Sequence, residues 1–290
     1  MRARLVAAAL LALAAGGAGA GTGEDAQLAA GGSDSEATCH AQLQSQQEAC
    51  RALAAAASLL DQYQDSGGER LFGAALPWIE ANAIESLADW ALVSGGLDRG
   101  VPAPVAARLS AMLAGAFNNS YSRMPCHEPA CGAYDDQAWW ALAWLKSYEL
   151  TGDDLYLLRA VEIFSYLAQP GAAWDESACD GGAWWSWQDS YKNSITNQLF
   201  FSLAAQLHQH AASIPAGASY PFPVDYFLDW AVKVWEWIEA SELQDGSSGL
   251  FVDGLNTQHQ ENCTATTGGG NLWTCVFSGY AFSGEVTFTR

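Results

Sequence analysis

The chain has 290 residues, of which 50% are hydrophobic and only 15% charged, with 32 Asp+Glu against 12 Lys+Arg and a formal net charge of −20. That apolar content excludes disorder along the whole chain. The sign of the field excludes binding to nucleic acid through its phosphates and disfavours an anionic membrane surface. With 13 Trp, 10 Tyr and 11 Phe, an acidic, indole-rich globule suits a neutral partner such as a neutral polysaccharide.

The first twenty residues read as a secretory signal peptide: a basic start with Arg2 and Arg4, an apolar run from Leu5 to Ala15, and the small-x-small site Ala18-Gly19-Ala20. Its removal takes the formal charge from −20 to −22, because two arginines leave. The apolar run is too short to span a bilayer and no later run reaches ~18 residues, so no transmembrane segment is expected, nor an apolar C-terminal anchor signal. Residues 21–38 read as a low-complexity linker. Seven cysteines suit an oxidising compartment. Cys126 and Cys131 are expected to pair within one loop, with Cys39/Cys50 and Cys263/Cys275 as further pairs and Cys179 left over. His127 between Cys126 and Cys131 raises zinc as a rival, but the chain has no C-x-x-C and no H-E-x-x-H, so no metal and no other cofactor is expected. Two sequons, at Asn118 and Asn262, agree with secretion.

Three helical hairpins follow in chain order. Asn82 to Val93 is apolar on nearly every side (Ile84, Leu87, Ala88, Trp90, Ala91, Leu92), and Val105 to Phe117 follows it. Asp136 to Leu150 is again apolar all round, which predicts a helix buried on all sides. Thr151-Gly152-Asp153-Asp154 is then a turn with Gly as C-cap and Asp as N-cap. In Leu155 to Gln169 the residues Leu157, Ala160, Val161, Phe164 and Leu167 make a one-sided stripe that leaves out Arg159 and Glu162. Asn193 to Gln209 is a third buried helix. Its partner, Tyr226 to Ala240, turns Phe227, Trp230, Ala231, Val234 and Ile238 inward and carries Asp229 and Lys233 as an exposed i,i+4 pair.

The buried helices start at Asn82, Asp135 and Asn193, 53 and 58 residues apart, too long for the short helical solenoid repeats. Alternation of buried and half-buried helices predicts an all-α toroid of hairpins with inner and outer rings, an (α/α) barrel, in preference to a plain bundle. Long loops, Asn118 to Tyr134, Pro170 to Lys192 and Ser241 to about Leu272, lead into the buried helices, while the loops Ser94–Val101 and Thr151–Asp154 that leave them are short. The loop Ala212 to Val224 is a Pro-rich exception. Long loops in a compact domain are usually functional; these should gather beside the N-termini of the buried helices.

There the sequence places Tyr134-Asp135-Asp136-Gln137-Ala138-Trp139-Trp140. Capping needs one carboxylate, and it accounts for Asp153-Asp154, which opens an exposed helix. A second carboxylate among Tyr and Trp is costly unless it is used. Two close carboxyls resist joint ionisation, so one can donate a proton while the other stays anionic. A separation of roughly 5 Å would predict the retaining, double-displacement route of glycoside hydrolysis. A metal-diphosphate box is excluded because Gln137, Ala138 and Trp139 stand where further acids would be needed. The second constellation is Cys179-Asp180-Gly181-Gly182-Ala183-Trp184-Trp185-Ser186-Trp187, followed by Tyr191-Lys192-Asn193-Ser194. A single Trp most often fills core, but three in four residues of a Gly-flanked loop point to stacking on sugar faces. Weaker features are Trp78 with Asn82 and the loop Gly249 to Gly254, which holds Asp253. His208 and His210 face different ways on one helix and are not expected to be ligands.

Together these segments carry a resemblance. Asp135-Asp136-Gln-Ala-Trp-Trp-Ala-Leu-Ala, Thr151-Gly152-Asp153, Gly181-Gly182-x-Trp184, Tyr191-Lys192-Asn193-x-Ile195-x-Asn197, Gly249-Leu250-x-x-Asp253-Gly254 and Trp78-x-x-x-Asn82 resemble, in this order, the motifs of glycoside hydrolase family 76. The resemblance covers roughly Leu76 to Leu255. It implies an (α/α)6 barrel and retaining endo-cleavage of α-1,6-linked mannan, with Asp135 as nucleophile and Asp136 as acid/base. The matching substrate-binding candidates are Trp78, Asn82, Tyr134, Trp139, Gly181, Gly182, Trp184, Tyr191, Lys192, Asn193 and Asp253. Fungal members are similar to cell-wall enzymes that transfer mannan-bearing glycoproteins, so the implied partners are α-1,6-mannan or mannoprotein glycans outside the cell.

The chain departs from the family after Trp273-Thr274, where Cys275-Val276-Phe277-Ser278-Gly279-Tyr280 replaces a stretch that leads into further helices. Six hairpins of ~55 residues would need roughly 330 residues, and about three and a half are legible. The expectation is a C-terminally incomplete toroid: a partial barrel over residues 39–274 and a divergent tail over 275–290. An alternative of another class follows from this, a non-catalytic mannan-binding or inactive remnant.

Overall fold

A computed structural model of the protein describes residues 44–63, 72, 77–120, 133–188, 191–215, 222–223, 225–244, 250–256 and 263–266. The signal segment, the linker, the tail and the residues Cys39, Cys126, His127, Cys131, Asn262 and Cys275 lie outside the described residues. The chain divides into two compact units, residues 1–122 with 146–152 and residues 123–145 with 153–290.

The first unit contains α1 (Gln44–Asp61), α2 (Pro77–Val93) and α3 (Ala103–Ser120). Helix α1 was not among the elements expected; it packs on both α2 and α3 through Ala55, Ala56, Leu59 and Leu60, all buried. Cys50 on this helix is disulfide-bonded. Helix α2 begins five residues earlier than the apolar run suggested. Pro77 is its first residue, where a missing N–H costs nothing. Ile84, Leu87, Ala88 and Ala91 have no exposed surface, whereas α3 buries one stripe of Leu109, Met112, Leu113 and Ala116. That contrast is the expected inner and outer alternation. A surface pair joins Arg108 of α3 to Asp61 of α1 at 2.5 Å, worth little to stability in water. Glu85 on α2 is pushed up to about 8, by burial first and then by the charge of Asp89, against the opposing pull of Lys146.

The second unit contains the first three turns of α4 (Tyr134–Thr151), then α5 (Asp154–Ala168), α6 (Ser194–His210) and α7 (Tyr226–Ala240). The turn between α4 and α5 forms as expected. Gly152 sits at φ 71°, and the Asp153 carboxylate accepts the Leu155 N–H at 3.0 Å. The α5 stripe from Leu157 to Leu167 is buried. Arg159, expected off that stripe, is buried too, and its guanidinium is paired with Glu162 one turn on, 3.3 Å away. Lys233 corrects a second expectation. It pairs not with Asp229 but with Glu176, at 2.6 Å, and stands over the rings of Trp174 and Trp230.

Between α5, α6 and α7 the core is aromatic. Phe164 meets Phe200 at 5.1 Å and Phe227 at 5.2 Å between centroids, and Trp174 meets Trp230 and Trp237 edge-on at 5.6 and 6.1 Å. Such tilted pairs contribute about 0.5–1.5 kcal/mol each beyond their burial.

An antiparallel sheet, not foreseen, joins β1 (Tyr191–Asn193), β2 (Gly254–Asn256) and β3 (Thr264–Thr266) in that order. Lys192 lies opposite Leu255 and Asn193 opposite Gly254. Gly254 is required there: a Cβ would come within 2.5 Å of the Tyr191 hydroxyl. The sheet brings Cys263 to the loop before α6, and Cys179 and Cys263 form a disulfide with Cα atoms 5.5 Å apart. The expectation that Cys263 pairs with Cys275 and that Cys179 stays free is therefore wrong. Nearness in sequence guided it, whereas the chain closes a loop of 84 residues.

Candidate active site

Asp135 and Asp136 occupy the first turn of α4. The loop before α6 reaches them through one residue, Trp185. Its carbonyl accepts the Tyr134 N–H at 2.7 Å, its own N–H donates to the Tyr191 carbonyl at 2.7 Å, and its indole Nε1 donates to Asp135 Oδ2 at 3.2 Å. The other oxygen, Oδ1, accepts the Asp136 N–H at 3.0 Å. Long loops therefore do meet the N-termini of buried helices in this unit, with β1 leading into α6 beside them.

Burial is the largest influence on both carboxyls. Asp135 is pushed up to about 7 by burial and then by the Asp136 charge, against the N–H donors of Asp136 and Trp185. Asp136 is pushed up to about 6 by burial, against a hydrogen bond from the Ala133 backbone. Titration belongs to the pair: near neutrality it holds about one proton, with one group able to give it and the other charged.

The loop is built around Lys192, which is fully buried. Its Nζ donates to the carbonyls of Asp175, Ala178 and Gly181 at 2.6, 2.6 and 2.5 Å and lies 4.4 Å from the Trp184 ring centroid. Burial pulls this ammonium down to about 8, opposed by Asp175 and Glu176. Lys192 was expected to touch substrate; all three of its donors are spent inside the loop, so it braces the site instead. Gly181 and Gly182, also expected at the substrate, pack on Trp237. A Cβ on Gly182, at φ 92°, would lie 2.2 Å from that ring. Trp237 Nε1 in turn donates to the Cys179 carbonyl at 2.8 Å. Asn193 is the buried N-cap of α6, accepting from Thr196.

The remaining candidates divide by exposure. Tyr134 and Trp139 are buried walls, and the Tyr134 hydroxyl donates to Tyr166, which also accepts from Gln137. Trp184 is half-buried, while Trp185 and Trp187 are 38% and 48% exposed with buried Ser186 between them. The Tyr191 hydroxyl donates to Asp253 Oδ2 at 2.5 Å. Trp78 and Asn82 belong to the first unit, where the Asn82 amide donates to the Trp78 carbonyl at 2.8 Å. Asn118 is exposed near the end of α3. Sequence reasoning took the Trp185 indole for a sugar platform and missed it as a ligand of Asp135; no local pattern signals a hydrogen bond across 50 residues. Asn197 stands in a matching motif but was given no role; its amide clamps Ala183 on both sides, accepting its N–H at 2.7 Å and donating to its carbonyl at 3.0 Å. Among the described residues no group of three or more His, Cys, Asp or Glu could hold a metal ion, and no helix is long and apolar enough to cross a membrane.

Comparison with known proteins places this geometry. The model of glycosyl hydrolase family 76 matches residues 49–287. Mannan endo-1,6-alpha-mannosidase DCW1 of Candida glabrata is 30% identical over 164 residues, 52% of this chain and 32% of that protein. The protein of the same name in Saccharomyces cerevisiae is 27% identical over 162 residues, with the same coverage. The chain thus spans about a third of the length of these relatives. Among solved structures, the family 76 mannosidase Bt3792 of Bacteroides thetaiotaomicron superposes with a TM-score of 0.51 at 22% identity, covering 68% of this chain and 51% of that one. The GH76A alpha-1,6-mannanase of a Salegentibacter species gives 0.51 at 21%, covering 71% and 56%. A form of that mannanase inactivated at two adjacent aspartates was solved with alpha-1,6-mannotetrose. The fold class is shared: helical hairpins of the (α/α)-barrel type, with a small sheet added.

Proposed function

We propose, from the premise that this chain belongs to glycosyl hydrolase family 76, that it is a secreted retaining endo-α-1,6-mannosidase working through Asp135 and Asp136. The observation that carries the reading is the half-buried pair itself, two adjacent carboxyls raised to about 7 and 6 beside a single indole donor. Asp135 is raised further than Asp136, so its role as nucleophile rests on the family likeness. The proton the pair shares must stand on Asp136 when Asp135 attacks, an arrangement the two N–H donors to Asp135 favour. Its carboxylate attacks the anomeric carbon while Asp136 gives its proton to the departing glycosidic oxygen. Asp136 then takes a proton from water, whose oxygen displaces Asp135 from the sugar. A sugar hydroxyl in place of water makes the same step a transfer, the chemistry of a cell-wall transglycosidase.

Exposed Trp185 and Trp187 offer flat faces for mannose rings, and Tyr191 with Asp253 supports the wall beside them. Tyr134, Trp139, Trp184 and Asn193 shape this surface from behind, and Trp78 with Asn82 are contacts assigned by family likeness alone. The N-terminal signal pattern, the Cys179–Cys263 disulfide and exposed Asn118 support an extracellular location, with α-1,6-mannan or mannoprotein glycans as substrate. Incubation of the full chain with α-1,6-mannan should release oligosaccharides, with Asp135→Ala releasing none. Release that survives this change defeats the assignment, and binding of mannan without turnover would favour a non-catalytic role.

A further inference from the structure

We infer that Lys192 is a positioning residue for the aspartate pair, acting through Trp185 on the carboxylate of Asp135. The inference rests on Asp135 being the nucleophile of the proposed reaction. Lys192 touches neither carboxylate, and its effect runs through the loop it organises. Three carbonyls from Asp175 to Gly181 converge on its Nζ, and carbonyls converge in this way only on a cation, since their dipoles otherwise repel. The Trp184 face lies beneath the same charge. Downstream the chain is pinned residue by residue: Ala183 by Asn197, Trp184 by the Ala173 carbonyl at 2.8 Å, Trp185 by Tyr191 and Tyr134. Lys192 itself follows Tyr191 in β1, so the residue that accepts the Trp185 N–H and the residue that gathers the loop are neighbours. One ammonium thus fixes the segment whose end delivers an indole N–H to Asp135. Charged groups facing Lys192 are Asp175 and Glu176; Glu176 is already matched to Lys233, and the charge facing Asp135 is Asp136.

The test is a carboxyl titration of the full chain labelled with 13C-aspartate, with Asp135 identified by Asp135→Asn. Trp185→Phe removes a donor to the anion and should raise the Asp135 midpoint on the order of half to one pH unit. Lys192→Met should raise it by the same amount, and the double variant should go no further. A folded Lys192→Met protein with the wild-type midpoint, or a double variant whose shift is the sum of the two, overturns the inference. A variant-free arm covers failure to fold. In the wild-type chain the Trp185 indole 15N signal should show a second inflection near pH 8, where Lys192 loses its proton, after the one due to the pair. A single inflection overturns the inference equally. No substrate enters either measurement. A chain that releases nothing from mannan while the titrations coincide would therefore refute the proposed activity alone.

Discussion

The molecule contains the same dipeptide twice at the head of a helix, and the two copies do different things. Asp153-Asp154 opens α5 after a tight turn. Both residues are exposed, and Asp153 caps the helix by accepting the Leu155 N–H. Asp135-Asp136 opens α4 against a loop that carries Trp185, and both carboxyls are driven toward neutral pH by burial. An aspartate pair at a helix N-terminus is thus a structural commonplace until something removes its water. What removes it here is not the helix but the loop folded over it, held by a buried ammonium, an asparagine clamp and a disulfide.

The largest effect that would sharpen this contrast is on turnover. Asp135→Ala and Asp136→Ala should each lower mannan cleavage by at least about 10³-fold, whereas Asp153→Ala should leave kcat/KM within about two-fold, because a cap residue acts on stability alone; reducing-sugar release from α-1,6-mannan checks both. Next comes the loop. Gly182→Ala forces a methyl group into Trp237 at a positive φ and should cost about 3 kcal/mol, read as the urea midpoint. Cys263→Ser frees the same loop from β3 and should cost about 2–4 kcal/mol, with hydrogen exchange rising first in residues 173–188.

The pH dependence of stability separates the pairs further. Because burial raises Asp135 and Asp136 above their unfolded values, the folded state holds more protons, and their contribution is lost as pH rises from about 4 through 7. Asp135→Asn should therefore exceed wild type by on the order of 2 kcal/mol at pH 8, with no advantage at pH 4. The smallest effect belongs to the exposed pair: Asp153→Ala should cost about 1 kcal/mol at neutral pH. Equal pH dependence in both pairs would break the comparison.

Much of this architecture was legible in the sequence. Helices buried on all sides and helices with one apolar stripe differ in composition, so the inner and outer rings could be read from residues such as Ile84 and Leu87 against Leu109 and Leu113. The Asp pair was legible because two acids among indoles are costly without a use. What was not legible depends on contacts between distant residues. Strands of three residues are too short to show a period of two, so the sheet stayed hidden, and with it the partner of Cys263. Lys192 was read as a substrate contact because a lone cation in an aromatic loop invites that view. Only the converging carbonyls of Asp175, Ala178 and Gly181 reveal it as a brace. Lys233 was misjudged because a long side chain reaches a partner that helical spacing does not name, and Arg159 because a side chain beside the apolar stripe is buried although its ion-pair partner Glu162 is the i,i+3 neighbour on the same helix.

The sequence holds three lysines, and none has an idle ammonium. Lys146 is held by Glu149 at 2.8 Å, Lys192 by three carbonyls, and Lys233 by Glu176 and two indoles. For a trypsin-like protease, the bonds after lysine are thus closed until the local structure opens, and the one after Lys192 lies inside the strand β1. Appearance of the peptide that ends at Lys192 would serve as a clock for loss of the loop beside the aspartate pair, readable by mass spectrometry without any substrate.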